Sequence, residues 1–131
     1  MIKIMLVDDS PAMLRLIEGL IKTEVELDIE VLSFQDASLA KAQFLSISPD
    51  VVITDIDMPN VTGYDLIEYI KSVANTPILA MSGSSFENNS TDTILHCSEL
   101  YGADHQILKS DLAENFSSLV MEIITAITVK S

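Results

Sequence analysis

Apolar positions fall in two alternating rhythms along the chain. Short runs rich in β-branched residues are separated by longer stretches in which apolar residues recur every three or four positions. Continuous apolar runs bounded by polar residues suit strands covered on both faces, and alternation with helical stretches marks βαβ units around a parallel sheet. Five such runs are expected as strands: Lys3 to Val7, Ile29 to Phe34, Val51 to Thr54, Pro77 to Met81 and His105 to Leu108. The first helix follows Ser10, a capping residue with Pro11 at the first helical position, and is expected to bury Met13, Leu16, Ile17 and Leu20. The second runs from Ala37 to Ser46, with Leu39, Ala42 and Phe44 among its apolar residues, and Pro49 stops it. The third, from Tyr64 to Ala74, repeats Leu66, Ile67, Ile70 and Val73. A fourth is expected from Thr91 to Tyr101, after a polar loop that starts at Ser82. The fifth spans Asp111 to Val129, with Leu112, Phe116, Leu119, Val120, Ile123, Ile124 and Ile127 turned inward.

Composition narrows the picture. The 131 residues are 48% apolar and 21% charged, enough to bury one core without disulfides or structural metal, and no composition shift marks a second domain. A single receiver-sized unit at 1–131 with no output domain is therefore expected. Seven basic residues against twenty acidic ones give a net charge of −13. Such a chain repels nucleic acid phosphates and anionic lipid, so direct nucleic acid binding is not expected. The single Cys97 forms no internal disulfide, and the run Ile2 to Val7 is too short for a signal peptide, so a cytoplasmic location is expected. No stretch reads as the ~20 consecutive apolar residues that cross a bilayer, and membrane insertion is not expected.

The chemistry is expected at the strand ends. In an open doubly wound sheet, ligands bind beyond the carboxyl ends of the strands. The first strand ends in Asp8-Asp9, the third in Asp55, the fourth in Ser82, and Lys109 follows the fifth. With the flavodoxin-like order 2-1-3-4-5, strands 1, 3, 4 and 5 are neighbours and these side chains converge. Three crowded carboxylates repel one another unless a cation joins them. Mg²⁺, with Mn²⁺ as its substitute, takes oxygen ligands and needs only one or two carboxylates besides water and phosphate oxygens. The cation would leave one carboxylate free to attack phosphorus, while Lys109 and the Ser82 hydroxyl could hold phosphoryl oxygens.

On these residues the chain resembles the response-regulator receiver domains of two-component signalling. The most specific segment is Val51-Val-Ile-Thr-Asp55-Ile-Asp57-Met58-Pro59-Asn-Val-Thr-Gly63. The resemblance implies Asp55 as phosphoacceptor and Asp9 as a direct metal ligand. Asp8 would act through water, and the Asp57 backbone carbonyl would complete the protein's share. Ser82 beside Gly83 matches the switch hydroxyl, and Lys109 the lysine after the fifth strand. It further implies a histidine kinase or histidine phosphotransfer protein as donor and a downstream protein target. That target would meet the face of the fourth helix, fifth strand and fifth helix, which could also carry a phosphorylation-linked homodimer. The chain would assist its own phosphorylation and dephosphorylation and catalyse nothing else. Two positions depart from the family pattern: Gln106 stands where Tyr or Phe is common, and Ser110 follows Lys109 where proline is usual. A trans bond or rearranged turn is expected there.

Plainer readings exist for each residue. Asp8-Asp9 alone would be a helix cap, Lys109 a surface lysine and Ser82 a turn residue. His96, His105 and Cys97 lack partners at ligand spacing and receive no role. Two rival functions remain: a degenerate receiver that only binds protein, and a small Mg²⁺-dependent phosphatase of the haloacid-dehalogenase type, whose paired aspartates Asp55-Ile-Asp57 resembles.

Overall fold

A computed structural model describes residues 1–56, 63–83 and 102–130. Its elements run β1 (Ile2–Val7), α1 (Pro11–Glu24), β2 (Ile29–Phe34), α2 (Ala37–Ile47), β3 (Val51–Asp55), α3 (Gly63–Val73), β4 (Ile78–Ser82), β5 (His105–Leu108), a 3₁₀ turn (Lys109–Asp111) and α4 (Leu112–Lys130). The strands form one sheet in the order β2-β1-β3-β4-β5, and every pairing is parallel. The expected doubly wound architecture is therefore present. Four α-helices lie among the described residues. The expected helix from Thr91 to Tyr101 falls outside them, as do Asp57, His96 and Cys97.

Each sheet face is covered, which explains why β3 and β4 are buried along their whole length. On one side Ile4, Leu6, Ile53, Leu79 and Met81 meet α1 and α4; on the other Met5, Val7, Val52, Ile78 and Ala80 meet α2 and α3. Alternate residues of the same strand thus serve two cores, as the period of a strand requires.

Ser10 caps α1, its Oγ accepting from Met13 N at 3.2 Å, with Pro11 at the start of the helix. The buried stripe differs from the expected one. Leu14, Ile17 and Ile21 face the sheet, while Leu16 is 49% exposed. Apolar residues lie along two adjacent lines of α1, and the position of the sheet and α4 selects one of them. In α2 the core takes Ala37, Ala40 and Phe44, leaving Leu39 exposed, and in α3 Val73 is exposed although Leu66, Ile67 and Ile70 are buried. In α4 Leu112, Phe116, Val120, Ile123 and Ile124 are buried, with Leu119 and Ile127 packed at the margin.

One expectation needs correcting. The segment Lys109–Val129 is, by length and composition alone, apolar enough to cross a membrane, with a mean hydropathy of 1.4. Here one face of it packs into the sheet's core, which accounts for much of its apolar character.

The backbone entering β5 is anchored at the pole opposite the strand ends. Asp104 Oδ2 accepts from Ile78 N at 2.8 Å and pairs with Lys71 Nζ at 2.7 Å. Gly102, at φ +110°, lies against the Lys71 stem in a conformation that disfavours a side chain.

Candidate functional site

The carboxyl ends of β1, β3, β4 and β5 bring five side chains into one place. Val7 pairs with Thr54, Asp55 with Met81, and Ser82 with Leu108, so the polar residues at the strand ends sit at nearly one level. Asp8 is fully buried, Asp55 is 2% exposed and Ser82 1%, whereas Asp9 is exposed.

Asp8 is fixed at both ends of its chain link. Its backbone N–H donates to Phe34 O at 3.0 Å, and its Oδ1 accepts from Ser10 N at 2.9 Å. The second oxygen, Oδ2, is thereby aimed into the site. It lies 2.8 Å from Lys109 Nζ as an ion pair, outside hydrogen-bond alignment, and has no hydrogen-bond partner among the described residues. Lys109 Nζ also stands 3.3 Å from Asp55 Oδ2. The Ser82 hydroxyl donates to Gly83 O at 3.3 Å.

Carboxylate oxygens of Asp8, Asp9 and Asp55 lie within 4.8 Å of one another. An all-carboxylate donor set with one buried oxygen lacking a hydrogen bond suits a hard divalent cation. These three residues could hold such an ion.

Burial pulls the Lys109 pKa down, but the Asp8 and Asp55 carboxylates outweigh it and hold the ammonium above the ordinary lysine value of 10.5. The lysine is therefore a fixed positive charge at neutral pH.

Of the residues named from the sequence, Asp8, Asp9, Asp55 and Lys109 come together, and Ser82 ends the strand beside Asp55. The Asp57 carbonyl lies outside the described residues. Gln106 is half-buried, its Nε2 donating to Ala103 O at 3.3 Å, and the peptide bonds of the described residues are all trans. The chain after Lys109 passes directly into the 3₁₀ turn. Two positioning residues carry no signal of their own in the sequence. Thr54 is fully buried and donates from Oγ1 to Asp55 O at 2.9 Å. Gly63 opens α3 so close to β3 that a Cβ there would stand 2.2 Å from Asp55 O and 2.5 Å from Ile56 Cα.

A family model, the response regulator receiver domain, matches residues 4–119. The chain belongs to that family. The receiver is 31% identical over 102 residues to a protein-glutamate methylesterase/protein-glutamine glutaminase of Agrobacterium fabrum, covering 78% of this chain and 28% of the relative. It spans about a quarter of the length of such curated relatives. Among solved structures, the response regulator domain of Thermotoga maritima CheB superposes with a TM-score of 0.76 at 25% identity, covering 97% of the receiver and 96% of that chain. A response regulator receiver domain protein of Clostridium thermocellum gives 0.78 at 25% identity with full coverage of both chains. Membership in this family of two-component signalling overturns the haloacid-dehalogenase reading of Asp55-Ile-Asp57. The pair begins at the end of the third strand of a receiver, with a second acidic pair after the first.

Proposed function

We propose that residues 1–131 work as one receiver unit in which Asp55 accepts a phosphoryl group from a partner phosphohistidine. The supporting observation is the burial of Asp55 at the end of β3, facing Asp8 and the Lys109 ammonium. An Asp55 carboxylate oxygen attacks phosphorus as the phosphorus–nitrogen bond of the donor breaks, and the imidazole nitrogen leaves with the bonding pair. The product is an acyl phosphate. Lys109 pairs with a phosphoryl oxygen, and the Ser82 hydroxyl turns from Gly83 O to donate to another. Asp8, Asp9 and Asp55 would hold Mg²⁺, or Mn²⁺, with the Asp57 carbonyl as a further ligand. When bound, the ion neutralises charge on the arriving phosphoryl group. The donor would be a histidine kinase or a histidine phosphotransfer protein.

Contacts made only by the phosphorylated state supply the free energy that shifts the population of conformations. The output would be a changed affinity of the β5 and α4 face for a downstream protein or a second copy. An open groove of about 490 Å³ lies there, lined by Gln106, Leu108, Asn115 and Leu119 among others.

Intact-mass spectrometry after incubation with Mg²⁺ and acetyl phosphate tests the reading. One phosphoryl adduct is expected in the wild type, absent in Asp55→Asn and absent without the metal. A folded protein that forms no adduct even under rapid trapping would overturn it and favour a receiver that only binds protein.

A further inference from the structure

The Lys109 ammonium occupies the very carboxylates that a divalent cation would use. Its Nζ lies 2.8 Å from Asp8 Oδ2 and 3.3 Å from Asp55 Oδ2, the pair it would share with a metal. Asp8 cannot turn away, because Ser10 N holds Oδ1 and the residue is fully buried. Lys109 has more freedom: its side chain is 18% exposed and sits at the start of a 3₁₀ turn on a flexible four-carbon stem. Two cations cannot both sit within ~3 Å of one carboxylate oxygen without strong mutual repulsion.

We infer that Lys109 is an internal competitor for the metal, clamped on Asp8 and released by cation binding, so that one event fills the site and frees the ammonium for phosphoryl oxygens. This rests on the metal-dependent reading given above and adds a regulation to it. The Asp8 clamp sets a threshold of cation concentration below which the acceptor site stays closed by its own lysine. Asp8, the partner nearer to Lys109, is the residue over which the two cations compete. Asp9, exposed and at the rim, offers an arriving ion a first ligand that the lysine does not hold.

The test reads the lysine itself. Wild-type protein is reductively methylated with formaldehyde and borohydride across a Mg²⁺ titration without phosphodonor, and the modification of Lys109 is followed by peptide mass spectrometry against exposed Lys22. Release predicts that Lys109 labelling rises severalfold relative to Lys22 over the same Mg²⁺ range in which calorimetry detects binding. In parallel, Lys109→Met is expected to bind Mg²⁺ at least threefold more tightly. Asp8→Asn, which dismantles the clamp, should leave Lys109 readily labelled without metal.

Mg²⁺ binding with unchanged or reduced labelling of Lys109 overturns the competition while leaving the metal site intact. No Mg²⁺ binding in either wild type or Lys109→Met overturns both this inference and the metal-dependent reading. Binding seen only in Lys109→Met supports the competitor outright. The wild-type labelling arm stands even where a variant does not fold.

Discussion

At the scale of single residues, the site is held by groups that do no chemistry. Gly63 shows this most directly. A Cβ would collide with the Asp55 carbonyl and Ile56 Cα, both backbone, so relief requires α3 to withdraw from β3. Gly63→Ala is expected to cost about 1–3 kcal/mol in urea unfolding, the usual range for overpacking, and to slow adduct formation at Asp55. Lys109 supplies a pH dependence whose sign follows from its raised pKa. A folded value above the unfolded one means that the ion pair's stabilisation is fully present below about pH 10.5 and is lost as the pH rises through the folded value. Breaking a buried pair strands its partner charges and costs about 3 kcal/mol or more. Lys109→Met should therefore be less stable than wild type in metal-free buffer from pH 7 to roughly 10, and the gap should narrow only above that. Urea titrations over that range measure it.

At the scale of elements, the strands were legible and the helix faces only partly so. A strand buried on both sides needs an unbroken apolar run, and the runs ending at Val7, Phe34, Thr54, Met81 and Leu108 each became a strand within one residue of the expected bounds. The third and fourth run one residue further, taking Asp55 and Ser82 into the ladder, because the sheet's backbone pairing extends past the last apolar side chain. Helix α1 carries more apolar residues than its buried line uses. Which line is buried depends on where α4 lies, and helical periodicity alone does not record it. Leu14→Ala is accordingly expected to cost about 2–5 kcal/mol, while Leu16→Ala, on the solvent side, should stay within about 0.5 kcal/mol. Paired thermal melts of the two variants decide whether α1 is rotated as described.

For the whole molecule, the net charge of −13 and the carboxylates gathered at one pole set the energetics. Any cation that binds only the folded state stabilises it by mass action, by about 2.7 kcal/mol at a hundredfold excess over Kd. That is worth roughly 10 °C in Tm for a domain of this size. Adding Mg²⁺ should raise the Tm of the wild type and chelation should reverse it. Asp8→Asn and Asp55→Asn should each show a much smaller rise. An equal shift in all three would point to general screening of the acidic surface instead.

The sequence by itself determined the element order, the parallel doubly wound sheet and the identity of the polar residues at its strand ends, because apolar runs and their polar terminators are local facts of the chain. It also supplied the family resemblance. Only the tertiary structure decided how those residues meet: that Asp8 is the buried carboxylate and Asp9 the exposed one, that Lys109 lies nearer Asp8 than Asp55, and that Thr54 and Gly63 brace the Asp55 carbonyl. Register between strands forty or more residues apart fixes those distances. Register is a property of the packed sheet, set by burial on both faces at once.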